Sequence, residues 1–255
     1  MDIANAGNVR TLGGVAIEGS NVYFGTEATN GFEDQVTSYA FVDTPGWTVR
    51  SGWPVTTGAY VHALALTGTD VIGAGVPGGP GGVFAIPYTA GMPWTSGGGG
   101  VESWNPSVGA GDVVFIGDKG DKLTRIVVGA STPLVATTSG SVHGAPLVGE
   151  SGWLYTASTT GFVEAWSAST LDLRWSVDKL GAIEASPNID CTRDSTGAAL
   201  KGLPGVLYVG SNSGKLYAFV VDSRGIDTSA PWPKYQHDPR NTGNADTDLS
   251  QFTCP

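Results

Sequence analysis

Five times along the 255-residue chain a short apolar run closes on a small residue: Val22-Tyr23-Phe24-Gly25, Val71-Ile72-Gly73-Ala74, Val114-Phe115-Ile116-Gly117, Leu154-Tyr155-Thr156-Ala157 and Leu207-Tyr208-Val209-Gly210. The small residues lie 49, 43, 40 and 53 positions apart. Upstream of each anchor runs another short strand, as in Ala145-Pro146-Leu147-Val148 and Ser186-Pro187-Asn188-Ile189. Downstream comes a third, such as Gly161 to Trp166 or Lys215 to Val220, and then a fourth led by Trp53, Trp94, Leu134, Trp175 or Trp232. Four short antiparallel strands per period of about 40 to 50 residues predict one propeller blade per repeat. Five blades are readable, and the fold expected is an all-β propeller. A solenoid of hairpins competes, but it leaves end strands open to edge pairing that a ring removes. The recurring tryptophans are expected to pack between neighbouring blades.

Composition agrees with this pattern. Gly (39) and Pro (15) punctuate the chain, charged residues make only 14 %, and no run of helix formers is long enough for a helix bundle or a doubly wound α/β fold. A hydrophobic content of 40 %, with eight each of Trp, Tyr and Phe, supplies a core and excludes a disordered or collagen-like chain. The net charge is −10 and the 13 basic residues are scattered singly, so no nucleic-acid partner is expected. No apolar stretch reaches the length of a transmembrane segment, and no charged n-region precedes an apolar h-region.

The two cysteines, Cys191 and Cys254, allow one bridge. Either they are free thiols, or they form a disulfide, which implies an extracellular, periplasmic or cell-surface location. The disulfide is the expectation, because Cys254 sits in a polar tail with no core to hide in. Residues 1–244 then form a single propeller domain, with 245–255 a pinned C-terminal tail.

At Ala165 to Trp175 the sequence resembles the tryptophan-docking repeat of bacterial pyrroloquinoline-quinone-type propellers, A-x-D-x-x-T-G-x-x-x-W. Ala165, Thr170 and Trp175 match, while Ser167 and Leu171 stand where Asp and Gly belong. A second copy runs from Ala85 through Gly91 to Trp94, one residue short before its Trp. Trp232 to Gly243 is similar to the W-P-x-aromatic-x-x-D-x-x-x-T-G stretch at the ends of many such propellers. Members of this family usually carry six to eight blades. Either this chain closes as a five-bladed ring, or it is the C-terminal part of a longer protein. In the quinone-dependent oxidoreductases of the family, the resemblance implies a vicinal Cys-Cys pair beside the quinone and Glu, Asn and Asp on a calcium ion. No Cys-Cys occurs here, so the carry-over stops at the docking positions and no cofactor is expected.

Other chemistry finds little support. Gly73 to Gly78 satisfies G-x-G-x-x-G, but Pro77, Pro80 and further glycines lead into the strand Val83 to Ile86 and not into a phosphate-holding helix, so a hairpin loop is expected. The nucleophile elbow G-x-S-x-G is absent, and His62, His143 and His237 lie far apart with no zinc spacing. Asp118-Lys119-Gly120-Asp121 is read as a charged turn in preference to a calcium loop. Glu184 and Glu102 show no readable carboxylate-pair spacing for a glycosidase.

Geometry supplies the remaining candidate. Counting back from each anchor places Thr11, Tyr60, Ser103, His143 and, by aligning Pro187 with Pro146, Glu184 at equivalent points before the innermost strands; His62, Trp104 and Asn105 lie one or two positions deeper. Tyr60, His62, Ser103, Trp104, His143 and Glu184 are therefore expected to ring one mouth of the central channel, where they either bind a ligand, with the Trp104 indole as a stacking plate, or plug the channel. The function expected is a non-catalytic binding or scaffold module of an exported bacterial protein with a protein or glycan partner; the alternative is a quinone- and calcium-dependent oxidoreductase. Reconstitution with pyrroloquinoline quinone and calcium is expected to give no dye-coupled oxidation, and turnover of any simple alcohol or sugar would overturn that expectation.

Overall fold

A computed structural model describes residues 9–10, 13–28, 35–42, 46–57, 61–74, 82–96 and 103–255. The chain is an all-β propeller of antiparallel blades in sequence order. Blade 1 holds β1 (Val9–Arg10), β2 (Ala16–Glu18), β3 (Asn21–Ala28), β4 (Gln35–Val42), β5 (Gly46–Val49) and β6 (Val55–Thr56). Blade 2 holds β7 (Ala65–Leu66), β8 (Asp70–Ala74), β9 (Val83–Pro87) and β10 (Trp94–Thr95). Blade 3 comprises β11 (Ser107–Gly109), β12 (Val113–Gly117), β13 (Lys122–Val127) and β14 (Leu134–Thr137); blade 4 comprises β15 (Leu147–Gly149), β16 (Trp153–Ala157), β17 (Val163–Ser167) and β18 (Leu173–Val177). Blade 5 has β19 (Asn188–Asp190), β20 (Gly205–Ser211) and β21 (Lys215–Val221). The direct pairing of β8 with β9 makes Gly73 to Gly78 the start of a hairpin connection, although residues 75–81 lie outside the described ones.

At two of the small anchors, Gly25 and Gly117, the cause is steric. A Cβ on Gly25 would fall 2.5 Å from Val61, and one on Gly117 would fall 2.4 Å from Val142, so the segment entering the next blade's first strand lies directly on the anchor. Carbon atoms in contact need about 3.5 to 4 Å. In blades 3 to 5 the residue after the anchor is polar and turns the chain. Asp118 Oδ1 accepts from the amides of Gly120 (2.8 Å) and Lys122 (2.9 Å). Ser158 Oγ accepts from the Phe162 amide, and Ser211 Oγ from the Ser213 amide. These short polar side chains imitate a backbone acceptor, which is why the hairpins turn where they do. The Asp118–Asp121 segment is thus a capped turn, with burial pushing the Asp118 carboxyl above its ordinary range.

The same turns latch one blade to the next. The amides of Val142 and Ile183 donate to the carbonyls of Asp118 and Ser158. Between blades the faces are apolar, with one cluster running from Tyr23 and Trp53 through Ile72, Phe84 and Val108 across blades 1 to 3, and another joining Tyr155 and Val163 of blade 4 to Leu207 and Val221 of blade 5. Three of the repeating tryptophans pack here: Trp53 meets Tyr23 edge-on at 5.5 Å, Trp94 lies against the first cluster, and Trp175 sits 6.0 Å from Tyr155. In the docking repeat Ala165 pairs across the sheet with Trp175, and Thr170 donates to Asp172 at 2.6 Å. Leu171, standing where the repeat has glycine, takes the left-handed conformation at φ 55° and is held there by its burial beside Trp166.

Trp232 corrects the sequence expectation. It leads no fourth strand of blade 5. The chain after β21 instead doubles back along the first strands of earlier blades: Ile226 bridges Gly149, Trp232 bridges Val108 with two backbone hydrogen bonds of 2.7 and 3.1 Å, and Asn244 bridges Ile17. The first strands of blades 2, 3 and 4 lie against one another, so their outer partners leave one edge facing the axis. The returning strap satisfies backbone groups on that edge in blades 1, 3 and 4. Its end is fastened twice, by Arg240 over the Phe252 ring at 4.9 Å and by the Cys191–Cys254 disulfide, whose Cα atoms are 5.5 Å apart. Replacing both cysteines with serine is expected to lower the unfolding free energy by about 4 kcal/mol, the loop-closure value for a loop of about 64 residues, read as a shift of the urea midpoint; an unchanged midpoint would show that the tail is held by its packing alone.

Candidate functional site

His62 follows Val61, which lies over Gly25; His143 follows Val142, which lies over Gly117. The shared contact makes these two histidines equivalent, and Glu184, following Ile183 on the Ser158 carbonyl, is the third of the set. Blade 2 has a shorter first hairpin, so counting back from its anchor lands on Tyr60 when the structural equivalent of His143 is His62. Tyr60, Thr11 and Glu102 lie outside the described residues.

Trp104 stands between the two imidazoles. Its ring centroid is 4.2 Å from that of His62 and 4.2 Å from that of His143, at interplanar angles of 27° and 26°. Such a three-ring sandwich uses both indole faces. The expectation that Trp104 offers a plate for a sugar is therefore corrected: the edge of the ring is what remains. Its Nε1–H is buried without a hydrogen-bond partner. Behind it Asn105 donates from Nδ2 to the His143 carbonyl at 2.8 Å, tying blade 3 to blade 4, while Ser103 is buried and bridges to Asp118.

A cavity of about 450 Å³ opens beside the stack. His62, Trp104, Asn105 and the exposed Glu184 form part of its wall, and Lys234, Tyr235 and Asn241 of the returning strap form another. This volume is in the range of small-ligand sites. Among the described residues no group of three His, Cys, Asp or Glu side chains is arranged to hold a metal ion.

The strap residues were missed as site residues, although the segment that carries them stood out in the sequence. Lys234 is only 2 % exposed, yet its ammonium donates to the carbonyls of Tyr235 (2.9 Å) and Asp238 (3.1 Å) and to Asn241 Oδ1. All three protons of the ammonium are used. Burial pushes its pKa down from 10.5 to about 8, against the attraction of Asp238. Asp238, fully buried, accepts from the Arg240 amide at 2.7 Å and from the Thr242 hydroxyl, which explains the D-x-x-x-T spacing. His237 leans on Trp232 at 5.0 Å, and burial holds its imidazole below the ordinary histidine range.

Against known proteins, no protein-family model matches the chain, and no curated protein matches it. Solved structures do. BamB from Moraxella catarrhalis is similar over 88 % of this chain and 66 % of its own, at 18 % identity and a TM-score of 0.62. A chain of the Mitotic Checkpoint Complex is similar over 82 % of this chain and 68 % of its own, at 16 % identity and a TM-score of 0.56. The computationally designed Ika8 protein is similar over 83 % of this chain and 71 % of its own, at 13 % identity and a TM-score of 0.53. This chain thus spans about two thirds of the length of each. At these identities the likeness shows the fold, a β-propeller. No helix of the described residues is long and apolar enough to cross a membrane.

The Lys234 cluster makes a pH-dependent contribution whose sign is fixed. Between pH 8 and 10.5 the unfolded chain binds the Lys234 proton and the folded chain does not, so this group makes stability rise with pH across that window. The buried hydroxyls of Tyr23, Tyr88 and Tyr155 are held protonated in the fold and pull the other way above about pH 10. Lys234→Met is expected to cost about 2 kcal/mol at pH 7, because three acceptors lose their donor. It is also expected to flatten the rise between pH 8 and 9.5 in urea titrations, and an undiminished rise would remove Lys234 as its source.

Proposed function

We propose that this chain is a non-catalytic binding and scaffold propeller of an exported bacterial protein, taking a glycan or protein partner at the cavity beside the His62–Trp104–His143 stack. The observation that carries the reading is the construction of that cavity. Its walls come from separate blades and from the strap, and its aromatic side chains are fixed by stacking, so it is shaped before a ligand arrives. The groups that line it include a carboxylate, side-chain amides and an imidazole, a set that recognises hydroxyl and amide groups. Tyr60 and Ser103 complete the ring in this proposal. The Cys191–Cys254 bridge supports an oxidising compartment. The similarity to a chain of a multiprotein complex supports a scaffold role, since propellers offer broad loop-covered faces.

The test is a glycan array probed with the labelled wild-type chain and with Glu184→Gln. Retention of a glycan that Glu184→Gln weakens by about tenfold, with the melting temperature unchanged, is the expected result, one charge-assisted hydrogen bond being worth that factor. Retention that is indifferent to Glu184→Gln and to His62→Ala would place binding away from this cavity and overturn the assignment.

A further inference from the structure

Blade 5 is built differently from the blades before it. Blades 2, 3 and 4 each close on a fourth strand, whereas among the described residues β21 pairs with β20 alone. Strand β21 is seven residues long and reads Lys-Leu-Tyr-Ala-Phe-Val-Val. Its interior carries no charge, proline or bulge, the devices by which exposed edges are usually kept from pairing. Its odd-numbered residues Tyr217 and Phe219 turn toward blade 4. The even-numbered face looks away, with Leu216 72 % and Val220 74 % exposed.

The strand is also nearly its own complement. Antiparallel pairing of β21 with a second β21, centred on Ala218, sets Leu216 opposite the partner's Val220 and Tyr217 opposite the partner's Phe219. Residues of the same face meet, as a twofold axis normal to the sheet requires, and a register shifted by one residue would break this match. At each end Lys215 comes opposite the partner's Val221, so no like charges meet along the seam. We propose that β21 is a self-association edge, through which two copies of this chain join their last blades into one continuous sheet.

The measurement is sedimentation velocity with light scattering on the full chain, from about 1 to 100 µM. Wild type is expected to be a dimer within that range. The double variant Leu216→Lys/Val220→Lys places lysines opposite one another and is expected to weaken the dimer at least tenfold. Leu216→Lys/Val220→Glu, which sets opposite charges across the same pairs, is expected to restore it. Both positions lie outside the core, and an unchanged tryptophan fluorescence spectrum will certify the fold of each variant. A wild type that stays monomeric at the top concentration, a dimer untouched by the two lysines, or equal loss in both variants would overturn the proposal, the first leaving the edge to a strand from a different chain.

Discussion

The contact between a glycine and the segment that crosses it governs much of this molecule. At Gly25 and at Gly117 there is no room for a methyl group, because Val61 and Val142 press on the backbone. That approach brings successive blades close enough for the turn carbonyls of Asp118 and Ser158 to receive amides from the next repeat. It also fixes where the following residue emerges. His62 and His143 stand where they do because each is the first side chain past a contact that leaves no slack, and a stack of three rings at 4.2 Å spacing requires such placement. A substitution as small as alanine at Gly117 would move a blade, and with it a wall of the cavity.

The strap solves a second problem, that of the inner edges. First strands of two or three residues, such as β7 and β15, gain few ladder hydrogen bonds from a single neighbour. Pairing Trp232 with Val108 and Asn244 with Ile17 gives blades 3 and 1 a partner on the axial side and buries Trp232 completely. The cost is a set of polar groups carried inward, Lys234, His237 and Asp238 among them. These are tolerated because the strap satisfies most of them itself: the ammonium by three oxygens, the carboxylate by a backbone amide and a hydroxyl. A buried polar network that closes on itself specifies one arrangement, since every alternative leaves a charge unpaired.

What the sequence disclosed and what it concealed divide along the range of the interactions. Anchors, strands, capped hairpins and the bridge between Cys191 and Cys254 are visible because period, turn chemistry and cysteine count are local signals. Trp232 was misread because Trp94 and Trp175 sit in fourth strands, and an apolar residue does not announce which edge it will pair with. Lys234, Tyr235 and Asn241 were missed at the cavity for the same reason: the pairing that brings them there spans more than a hundred residues. The offset between Tyr60 and His62 has a smaller cause, a shortened hairpin in blade 2, which alignment on the valine over the glycine corrects. The Trp104 sandwich was legible as three aromatic residues at one mouth, but their mutual stacking, which removes the indole faces from use, needed coordinates.

These facts weigh differently on the two functional classes the sequence left open. Quinone chemistry of the kind the resemblance implies would need vicinal cysteines beside the quinone. Here both faces of the Trp104 indole are taken by imidazoles, and the chain's two cysteines are bonded to each other across the tail. A binding module asks for less: a cavity that keeps its shape and a rim with donors and acceptors whose backbones cannot shift. The glycine contacts supply the first by fixing the blades, and the strap supplies part of the second by bringing Tyr235 and Asn241 to face the Glu184 side.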